Sequence, residues 1–260
     1  MKLNLEDKIV VITGGSKGIG LEAAIAFGEE GCKLAICGRN PQVLSNARQI
    51  LADKGFDIFT KALDVTDKDA LSSFAKAVYD HWHRIDIWIN NAGIPCHKAM
   101  MDMEDEEWNQ IIAINLTAVY QGCKLAASYM KETGGVILNA GSFQTFFRAA
   151  GSGPYGATKA GVASLTRSFA GELARFNIRV LTYIPGVIET PMTKIDNWAQ
   201  DTGQINNIPL RRLGTPRDIA NTLVFLSSSQ ASYINGVSIE ITGGKFCVQN
   251  PQYSWENQII

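Results

Sequence analysis

The sequence predicts a single α/β domain in which a doubly wound, mostly parallel sheet of seven strands is flanked by helices. Short apolar runs alternate with longer amphipathic segments along the 260 residues, in the order expected of repeated β-α-β units. Several of these runs are apolar throughout, which is typical of strands covered on both faces. No linker or change of composition divides the chain, so residues 1–260 are expected to form one domain.

The predicted elements follow one another closely. The predicted strands are short apolar runs at residues 9–12, 33–37, 58–61, 85–90, 135–139, 178–184 and 237–241. The predicted helices carry apolar residues at helical spacing and occupy residues 19–30, 41–54, 67–81, 105–131, 154–176 and 215–226. Ligands of doubly wound sheets bind at the carboxyl ends of the strands, so a functional site is expected in the loops that follow them.

A glycine-rich turn, TGGSKGIG at residues 13–20, closes the first predicted strand and opens the first helix. Glycines permit positive φ angles and a close backbone approach, and the N-terminus of a helix attracts phosphate. The turn therefore predicts a site for the pyrophosphate of a dinucleotide; the alternative is a turn that needs glycine only for its geometry. The residues expected to line the cofactor here are Gly14, Ser16, Lys17, Gly18, Ile19 and Gly20.

The end of the second predicted strand indicates which dinucleotide binds. An acidic residue there would bind a ribose 2′-hydroxyl, but the sequence reads CGRN at residues 37–40, and the Arg39 guanidinium suits a 2′-phosphate. Lys17 adds a second positive charge on the same side. NADP(H) is therefore expected rather than NAD(H), with Arg39 and Asn40 in its site. The alternative is that both cations are solvated surface groups.

Beyond the glycine turn, six motifs in order resemble those of the short-chain dehydrogenase/reductase family, in its short single-domain branch. They are LDV at residues 63–65, NNAG at 90–93, Asn115 within a helix, Ser142, YGATK at 155–159 and PG at 185–186. The chain resembles in particular the NADP(H)-preferring 3-oxoacyl-thioester reductases and related carbonyl reductases. This resemblance implies a Rossmann fold, hydride transfer between NADP(H) and a ketone or secondary alcohol, and assembly as a homodimer or homotetramer.

The resemblance also implies roles for single residues. Asp64 is expected to hold the adenine amino group, and Asn91 to brace the central strands. Ile188 and Thr190 would lie beside the nicotinamide. The rest of the expected cofactor site comprises Val65, Ala92, Gly93, Tyr155, Lys159, Pro185 and Gly186. The expected catalytic residues are Asn115, Ser142, Tyr155 and Lys159.

Tyr155 and Lys159 lie four residues apart on a predicted helix, so both side chains project from one face. Lowering the pKa of a phenol from ~10 to near neutrality requires ~4 kcal/mol. An ammonium at ~4 Å in an effective dielectric of ~20 supplies about that much, so Lys159 is expected to lower the pKa of Tyr155. Tyr155 would then act as general acid or base, while Ser142 binds the carbonyl oxygen and Lys159 the ribose hydroxyls.

Asn115 would, by resemblance, anchor a water that links Lys159 to solvent. A helix-kinking or solvent-exposed asparagine is the alternative. The sequence departs from the family pattern at Gly141, where serine or alanine is usual, and at Thr242, where aspartate is usual. Neither change removes a catalytic group.

The substrate and the assembly are less constrained by the sequence. Substrate selection is expected from residues 95–97, from the loop at 191–208 and from Phe143, Gln144, Phe146, Phe147 and Arg148. The aromatic residues favour a 3-oxoacyl thioester, a cyclic ketone or a steroid, whereas Gln144, Glu189 and Asp196 keep a polyol or sugar open.

The aromatic tail at 245–260 is expected either to cross a subunit boundary or to pack beside the 191–208 loop of its own subunit.

Two further classes of function are weighed against an active reductase. One is a catalytically silent protein that binds NADPH as a sensor or scaffold. The other is an epimerase or dehydratase of the longer branch of the family, which the glycine spacing and the lack of an added substrate domain disfavour. The intact Ser142, Tyr155 and Lys159 favour the reductase.

The composition excludes several partners. Lys plus Arg (24) nearly cancel Asp plus Glu (25), so nucleic acid is not expected as a partner. The N-terminal residues lack the features of a signal peptide, and no apolar run reaches membrane-spanning length, so a soluble cytoplasmic protein is expected. The five cysteines are scattered, which predicts reduced, mostly buried thiols and no metal site.

Overall fold

The computed structural model describes residues 2–147, 149–194 and 202–257 and shows the seven expected strands. They are β1 (Ile9–Thr13), β2 (Lys33–Gly38), β3 (Ile58–Ala62), β4 (Ile87–Asn90), β5 (Gly135–Ala140), β6 (Ile178–Pro185) and β7 (Ser238–Ile241). They form one sheet in the order β3-β2-β1-β4-β5-β6-β7, and the six strand pairings are all parallel rather than mostly so. The strand order reverses between β1 and β4, which places a ligand crevice at their carboxyl ends.

The helices cover both faces of this sheet. The first six are α1 (Gly18–Glu29), α2 (Pro41–Asp53), α3 (Lys68–Trp82), α4 (Asp105–Ile112), α5 (Ala118–Met130) and α6 (Gly153–Leu173). The last four are α7 (Pro191–Lys194), α8 (Thr202–Asn206), α9 (Pro216–Ser227) and α10 (Tyr253–Glu256). Helices α1, α2 and α9 pack on one face, and α3, α5 and α6 pack on the other.

The first strand shows why the predicted runs are apolar throughout. Val10 and Ile12 belong to the core beneath α1 and α9, whereas Ile9 and Val11 belong to the core beneath α3 and α5. Successive side chains of a strand point to opposite faces, so a strand covered on both sides needs apolar residues at every position. All five residues of β1 are buried accordingly.

The single helix expected at residues 105–131 is not continuous. Helix α4 ends at Ile112, a π-helical segment spans Ala113–Thr117, and α5 begins at Ala118. The amide of Asn115, inside the wide turn, accepts a hydrogen bond from the Ile94 backbone N–H and donates one to the Ile94 carbonyl, each at 2.9 Å. Nothing in the helical periodicity indicates such a bulge, and π-bulges frequently occur at functional sites.

A chain of buried polar groups ties helix α6 to the sheet. The Trp88 indole donates to Asn90 Oδ1 at 2.8 Å, and Asn90 Nδ2 donates to Asn139 Oδ1 at 2.8 Å. Asn139 Nδ2 in turn donates to Thr166 Oγ1 at 3.0 Å, and Thr182 Oγ1 donates to the same atom at 2.7 Å. Because buried polar groups are costly unless satisfied, this chain fixes β4, β5, β6 and α6 relative to one another.

Among the described residues, no helix is long and apolar enough to cross a membrane. Within the same residues, no group of three or more His, Cys, Asp or Glu side chains is placed to hold a metal ion. The five cysteines are free, and four of them are buried while Cys247 is exposed.

Gly122 of α5 lies against this polar chain, which gives a test of its tight packing. A Cβ at Gly122 would collide with Asn90 Oδ1 and lie 3.0 Å from the Trp88 indole nitrogen. We expect Gly122→Ala to lower the free energy of unfolding by about 1–3 kcal/mol, measured by urea titration. Gly171→Ala in α6 is the control: its Cβ would meet nothing within 4 Å, so we expect a gain of about 0.5–1 kcal/mol. Equal effects of the two substitutions would contradict this account.

Candidate active site

The glycine turn has the form of a cradle for a pyrophosphate. Gly14 and Gly18 have φ angles of +65° and +55°, which residues with a Cβ rarely adopt. A Cβ at Gly14 would lie 2.9 Å from the Cα of Ala92, and one at Gly20 would collide with the Gly14 carbonyl oxygen. Helix α1 begins at Gly18, so its free N–H groups and positive end face this turn. The residues present fit a bound dinucleotide.

Asn91 braces the turn, as the resemblance implies. Its Nδ2 donates to the carbonyl oxygens of Thr13 at 3.2 Å and of Gly14 at 3.0 Å. Its Oδ1 accepts a hydrogen bond from the Tyr183 hydroxyl at 3.1 Å. The Thr13 hydroxyl adds a second link, because Oγ1 accepts from the backbone N–H groups of Asn91 and Ala92. The ends of β1, β4 and β6 are thereby held together.

Arg39 and Ser16 lie together where β2 ends. The Arg39 side chain is half exposed, and its guanidinium approaches Asp64 Oδ2 at 3.9 Å. A Cβ at Gly38 would lie 2.9 Å from Ser16 Oγ, so the serine hydroxyl adjoins the residue before Arg39. Asn40 caps α2 by accepting from the Val43 N–H at 3.0 Å, a structural role in addition to the expected one.

The other side of the cradle is formed by residues after β6. The methyl carbon of Thr190 would lie 3.5 Å from a Cβ at Gly18, so Thr190 sits against the glycine turn. Ile188 is buried and pairs with Gly214 in an isolated parallel bridge. Gly186 allows a close approach to Thr242, whose Cα would be 2.7 Å from an added Cβ. Lys17, in contrast, is exposed at the N-cap of α1.

Ser142, Tyr155 and Lys159 come together at the carboxyl end of β5. Ser142 follows this strand after one intervening residue, Gly141, and its Oγ accepts from the Gln144 N–H at 3.2 Å. Lys159 is buried, and its Nζ donates to the Ala140 carbonyl at 2.8 Å. The same Nζ lies 5.5 Å from the centre of the Tyr155 ring. Helix α6 thus brings the Tyr155 phenol to Ser142 and the Lys159 ammonium to the end of β5.

The pKa of Tyr155 differs from the sequence-based expectation. Burial raises the pKa of the phenol above its ordinary value, and hydrogen bonding to Ser142 opposes this rise. Burial also lowers the pKa of Lys159 to about 8. The expected lowering by Lys159 does not dominate, because the ammonium is directed at the Ala140 carbonyl and not at the phenol oxygen. A further positive charge close to Tyr155 would lower this pKa.

Asn115 is neither solvent-exposed nor free in the structure. It is completely buried, and both ends of its amide are bonded to the backbone of Ile94. A Cβ at Gly93 would lie 3.2 Å from Asn115 Oδ1 and 3.7 Å from Lys159 Nζ, so both side chains adjoin Gly93. Asn115 thus positions the segment that follows β4, and the water expected at this residue stays a prediction.

The departure at Gly141 has a steric reason. A Cβ at this position would lie 2.6 Å from the Ile184 Cδ1 and 2.7 Å from the Thr182 Cγ2. The neighbouring strand therefore leaves no room for the serine or alanine that is usual in the family. The glycine at position 141 therefore accompanies the side chains of Thr182 and Ile184 on β6.

Part of the expected substrate region can be placed. Arg148, residues 195–201 (including Asp196) and residues 258–260 of the tail lie outside the described residues. Phe143 is partly buried and packs with Ile205 against the buried side chains of Val187, Ile208 and Leu213. Gln144 is buried, and its Oε1 accepts from the Ser152 hydroxyl at 2.7 Å.

Comparisons with known proteins agree with this architecture. A family model described as enoyl-(acyl carrier protein) reductase matches residues 14–245. The chain is 39% identical to the 3-oxoacyl-(acyl-carrier-protein) reductase FabG of Vibrio harveyi, over 95% of this chain and 100% of that protein. A solved short-chain type dehydrogenase/reductase from Mycobacterium marinum has a TM-score of 0.89 at 32% identity, covering 95% of this chain and 98% of that one. A protein from Agrobacterium tumefaciens, assigned provisionally as a gluconate dehydrogenase, has a TM-score of 0.90 at 32% identity, covering 95% and 99%.

Fold and relatives define an oxidoreductase that acts on carbonyl or CH–OH groups. The chain belongs to the short-chain dehydrogenase/reductase family. Its members typically bind small-molecule substrates and assemble as oligomers.

Two residues that hold the site were not anticipated. The Thr13 hydroxyl and the Tyr183 hydroxyl both bond to the Asn91 segment, and both side chains are buried. A tyrosine within a strand predicted to be buried is the signal that was available, since a buried phenol usually needs a hydrogen-bond partner. Burial raises the pKa of Tyr183, and the proximity of Tyr155 adds to this rise.

The Tyr183 hydroxyl can be tested through cofactor binding. We expect Tyr183→Phe to weaken the binding of NADPH several-fold and to lower the free energy of unfolding by about 1–3 kcal/mol, because Asn91 Oδ1 loses its donor. Fluorescence titration with NADPH and urea unfolding measure the two effects. Tyr233→Phe is the control, since this phenol is fully exposed. Unchanged NADPH affinity in the first variant would show that Asn91 keeps its place without the phenol.

Proposed function

We propose that the protein is an NADP(H)-dependent oxidoreductase that interconverts a ketone and a secondary alcohol, with Tyr155 as general acid and base. The observation that carries this proposal is the convergence of Ser142, Tyr155 and Lys159 at the carboxyl end of β5. The glycine cradle lies at the neighbouring strand ends, so a dinucleotide held there would reach the same crevice.

The protein side of the reaction follows from these positions. When bound, the nicotinamide supplies or accepts the hydride at the carbonyl carbon. In the reducing direction, Ser142 Oγ donates a hydrogen bond to the carbonyl oxygen, and Tyr155 gives its proton to that oxygen as the C–O bond becomes single. In the oxidising direction, Tyr155 takes the proton back. Lys159 holds the ribose hydroxyls and keeps a positive charge near the phenol, and Asn115 positions the backbone beside it.

The preference for NADP(H) is the finer part of the proposal. The half-exposed Arg39 and the adjacent Ser16 hydroxyl are suited to a 2′-phosphate, which a guanidinium binds through charge-assisted hydrogen bonds. Lys17 adds charge from the glycine turn. Asp64 Oδ2 lies 3.9 Å from the Arg39 guanidinium, so a bound 2′-phosphate would compete with this carboxylate for the guanidinium.

A polyol or sugar dehydrogenase is the second candidate, and the similarity to the Agrobacterium tumefaciens protein favours it. Gln144, which would contact a polyol, instead bonds to Ser152 in the structure. The aromatic surroundings of Ser142 therefore support the ketone reductase more strongly. The intact side chains of Ser142, Tyr155 and Lys159 argue against a catalytically silent sensor.

We further propose that the chain forms a homodimer or homotetramer. Tyr120 of α5 and Phe169 of α6 form an aromatic pair with ring centres 6.1 Å apart. Tyr120 and Trp108 of α4 are both partly exposed large aromatic side chains. A helical face of this kind is suited to pairing with a second copy.

Substitution of the phenol tests the proposed chemistry. We expect Tyr155→Phe to lower kcat for ketone reduction by about 100-fold to 10,000-fold, with the NADPH dissociation constant unchanged within about twofold, since only the acid is lost. Lys159→Met should lower kcat and also weaken NADPH binding, because the ammonium has two tasks. Steady-state kinetics and fluorescence titration give both quantities, and Tyr233→Phe is the control. A Tyr155→Phe rate within a few-fold of the parent would refute the mechanism.

Substitution of the guanidinium tests the cofactor. We expect Arg39→Asp to shift the ratio of kcat/KM for NADPH over NADH by about tenfold or more towards NADH, because a carboxylate repels a 2′-phosphate and binds a 2′-hydroxyl. Arg48→Asp, on the exposed side of α2, changes the charge equally and should leave the ratio unaltered. The assignment to NADP(H) is lost if both variants keep the parental ratio.

A further inference from the structure

The tail after β7 packs against its own subunit. The Trp255 indole donates to the Pro209 carbonyl at 3.0 Å, and the Arg211 guanidinium lies 5.4 Å from the centre of the Trp255 ring. Lys245 is buried, and its Nζ donates to Gln204 Oε1 at 3.0 Å. The tail therefore lies on the described end of the 191–208 loop and the residues just after it.

This packing brings a tail aromatic ring to the segment that follows Ser142. Phe246 stacks on Phe147 with ring centres 4.8 Å apart and planes inclined by 26°. Phe143, the residue next to Ser142, contacts Phe246 with ring centres 5.6 Å apart. We call Phe143, Phe147 and Phe246 the aromatic platform. It is built from two segments that are about a hundred residues apart in sequence. Its first member, Phe143, directly follows Ser142.

The platform is held in place and yet is open to solvent. Phe143 is anchored on the apolar side chains of Val187 and Ile208. Phe147 and Phe246 remain 42% and 39% exposed, which is unusual for stacked aromatic rings with no role at the surface. Phe246 has a φ of +66°, a left-handed conformation that a bulky residue adopts only where its surroundings enforce it.

The described cations of this region are already engaged. Lys245 Nζ lies 4.8 Å from the centre of the Phe246 ring and donates to Gln204 Oε1. Arg211 donates to Asn206 Oδ1 at 2.5 Å in addition to its contact with Trp255. Arg212 forms an ion pair with Asp218 at 2.7 Å. This part of the surface therefore offers ring faces to a ligand in preference to positive charge.

We propose that the aromatic platform binds a flat, apolar ring carried by the ketone, so that the substrate is a ring-bearing ketone rather than a linear acyl chain. The inference rests on the proposed function for the chemical step. A ring stacked on the exposed Phe147, which Phe246 supports from behind, would hold an attached carbonyl near the segment that begins at Ser142. Ring faces favour another ring over a flexible chain because stacking orders fewer torsions.

A pair of matched 3-oxo esters tests the selectivity. The parent enzyme should reduce ethyl benzoylacetate with a higher kcat/KM than ethyl acetoacetate, which has a methyl in place of the phenyl. Phe246→Ala should lower kcat/KM for the phenyl ester roughly tenfold, mainly through KM, and change that for the methyl ester by less than about threefold. Tyr253→Ala is the control, since it removes an exposed ring of the same tail outside the platform. A ratio unchanged in Phe246→Ala would overturn the inference.

A binding measurement separates this inference from the proposed function. Isothermal titration of the NADP⁺ complex, which cannot reduce a ketone, with 2-acetylnaphthalene should show binding that Phe246→Ala weakens roughly tenfold and Tyr253→Ala does not. If no ketone is reduced but this pattern is found, the proposed function fails and the platform stands. If ketones are reduced but 2-acetylnaphthalene binds equally to parent and Phe246→Ala, the platform fails and the proposed function stands.

Truncation after Gly244 tests the location of the tail. We expect an unchanged mass by light scattering together with the same loss of phenyl-ester selectivity as in Phe246→Ala. A smaller assembly with the selectivity intact would place the tail across a subunit boundary and overturn the inference.

Discussion

The site depends on one buried cation. Lys159 is enclosed by protein, and its ammonium donates to the Ala140 carbonyl at the end of β5. Removing an ammonium from water is costly unless acceptors surround it, which is why the pKa of this group falls to about 8. The polar chain from Asn139 through Thr166 holds α6 against β5, so that the ammonium and the strand carbonyl stay in register. Without that register the phenol of Tyr155 would not face Ser142.

The elements fixed by repetitive patterns were predictable from the sequence. The seven strands and the catalytic helix agree with the expected ranges to within a few residues, because runs such as β1 must be apolar on both faces. The glycine turn was also predictable, since positive φ at Gly14 and Gly18 requires that residue type.

Features that arise from contacts between distant segments were not predictable. The π-helical turn at Asn115 accompanies hydrogen bonds to Ile94, and no helical periodicity encodes them. The sequence predicts a lowered pKa for Tyr155, whereas burial raises it in the structure. The prediction failed because spacing on a helix does not reveal that Lys159 is directed at a strand carbonyl. In the sequence alone, Gly141 is an isolated departure from the family pattern. In the structure, the side chains of Thr182 and Ile184 on the neighbouring strand require a glycine at this position.

The proposed reaction and part of the proposed substrate selectivity are encoded in different parts of the chain. The family model covers residues 14–245 and so includes the glycine cradle and Ser142, Tyr155 and Lys159. Phe246 is the first residue beyond that match, and its ring stacks on the loop that follows Ser142. If the aromatic platform binds the substrate as proposed, a change in the tail alters which ketone is held without disturbing the proposed hydride and proton transfer. The reason is packing, because the Lys159 ammonium is buried against the Ala140 carbonyl, whereas Phe246 is 39% exposed.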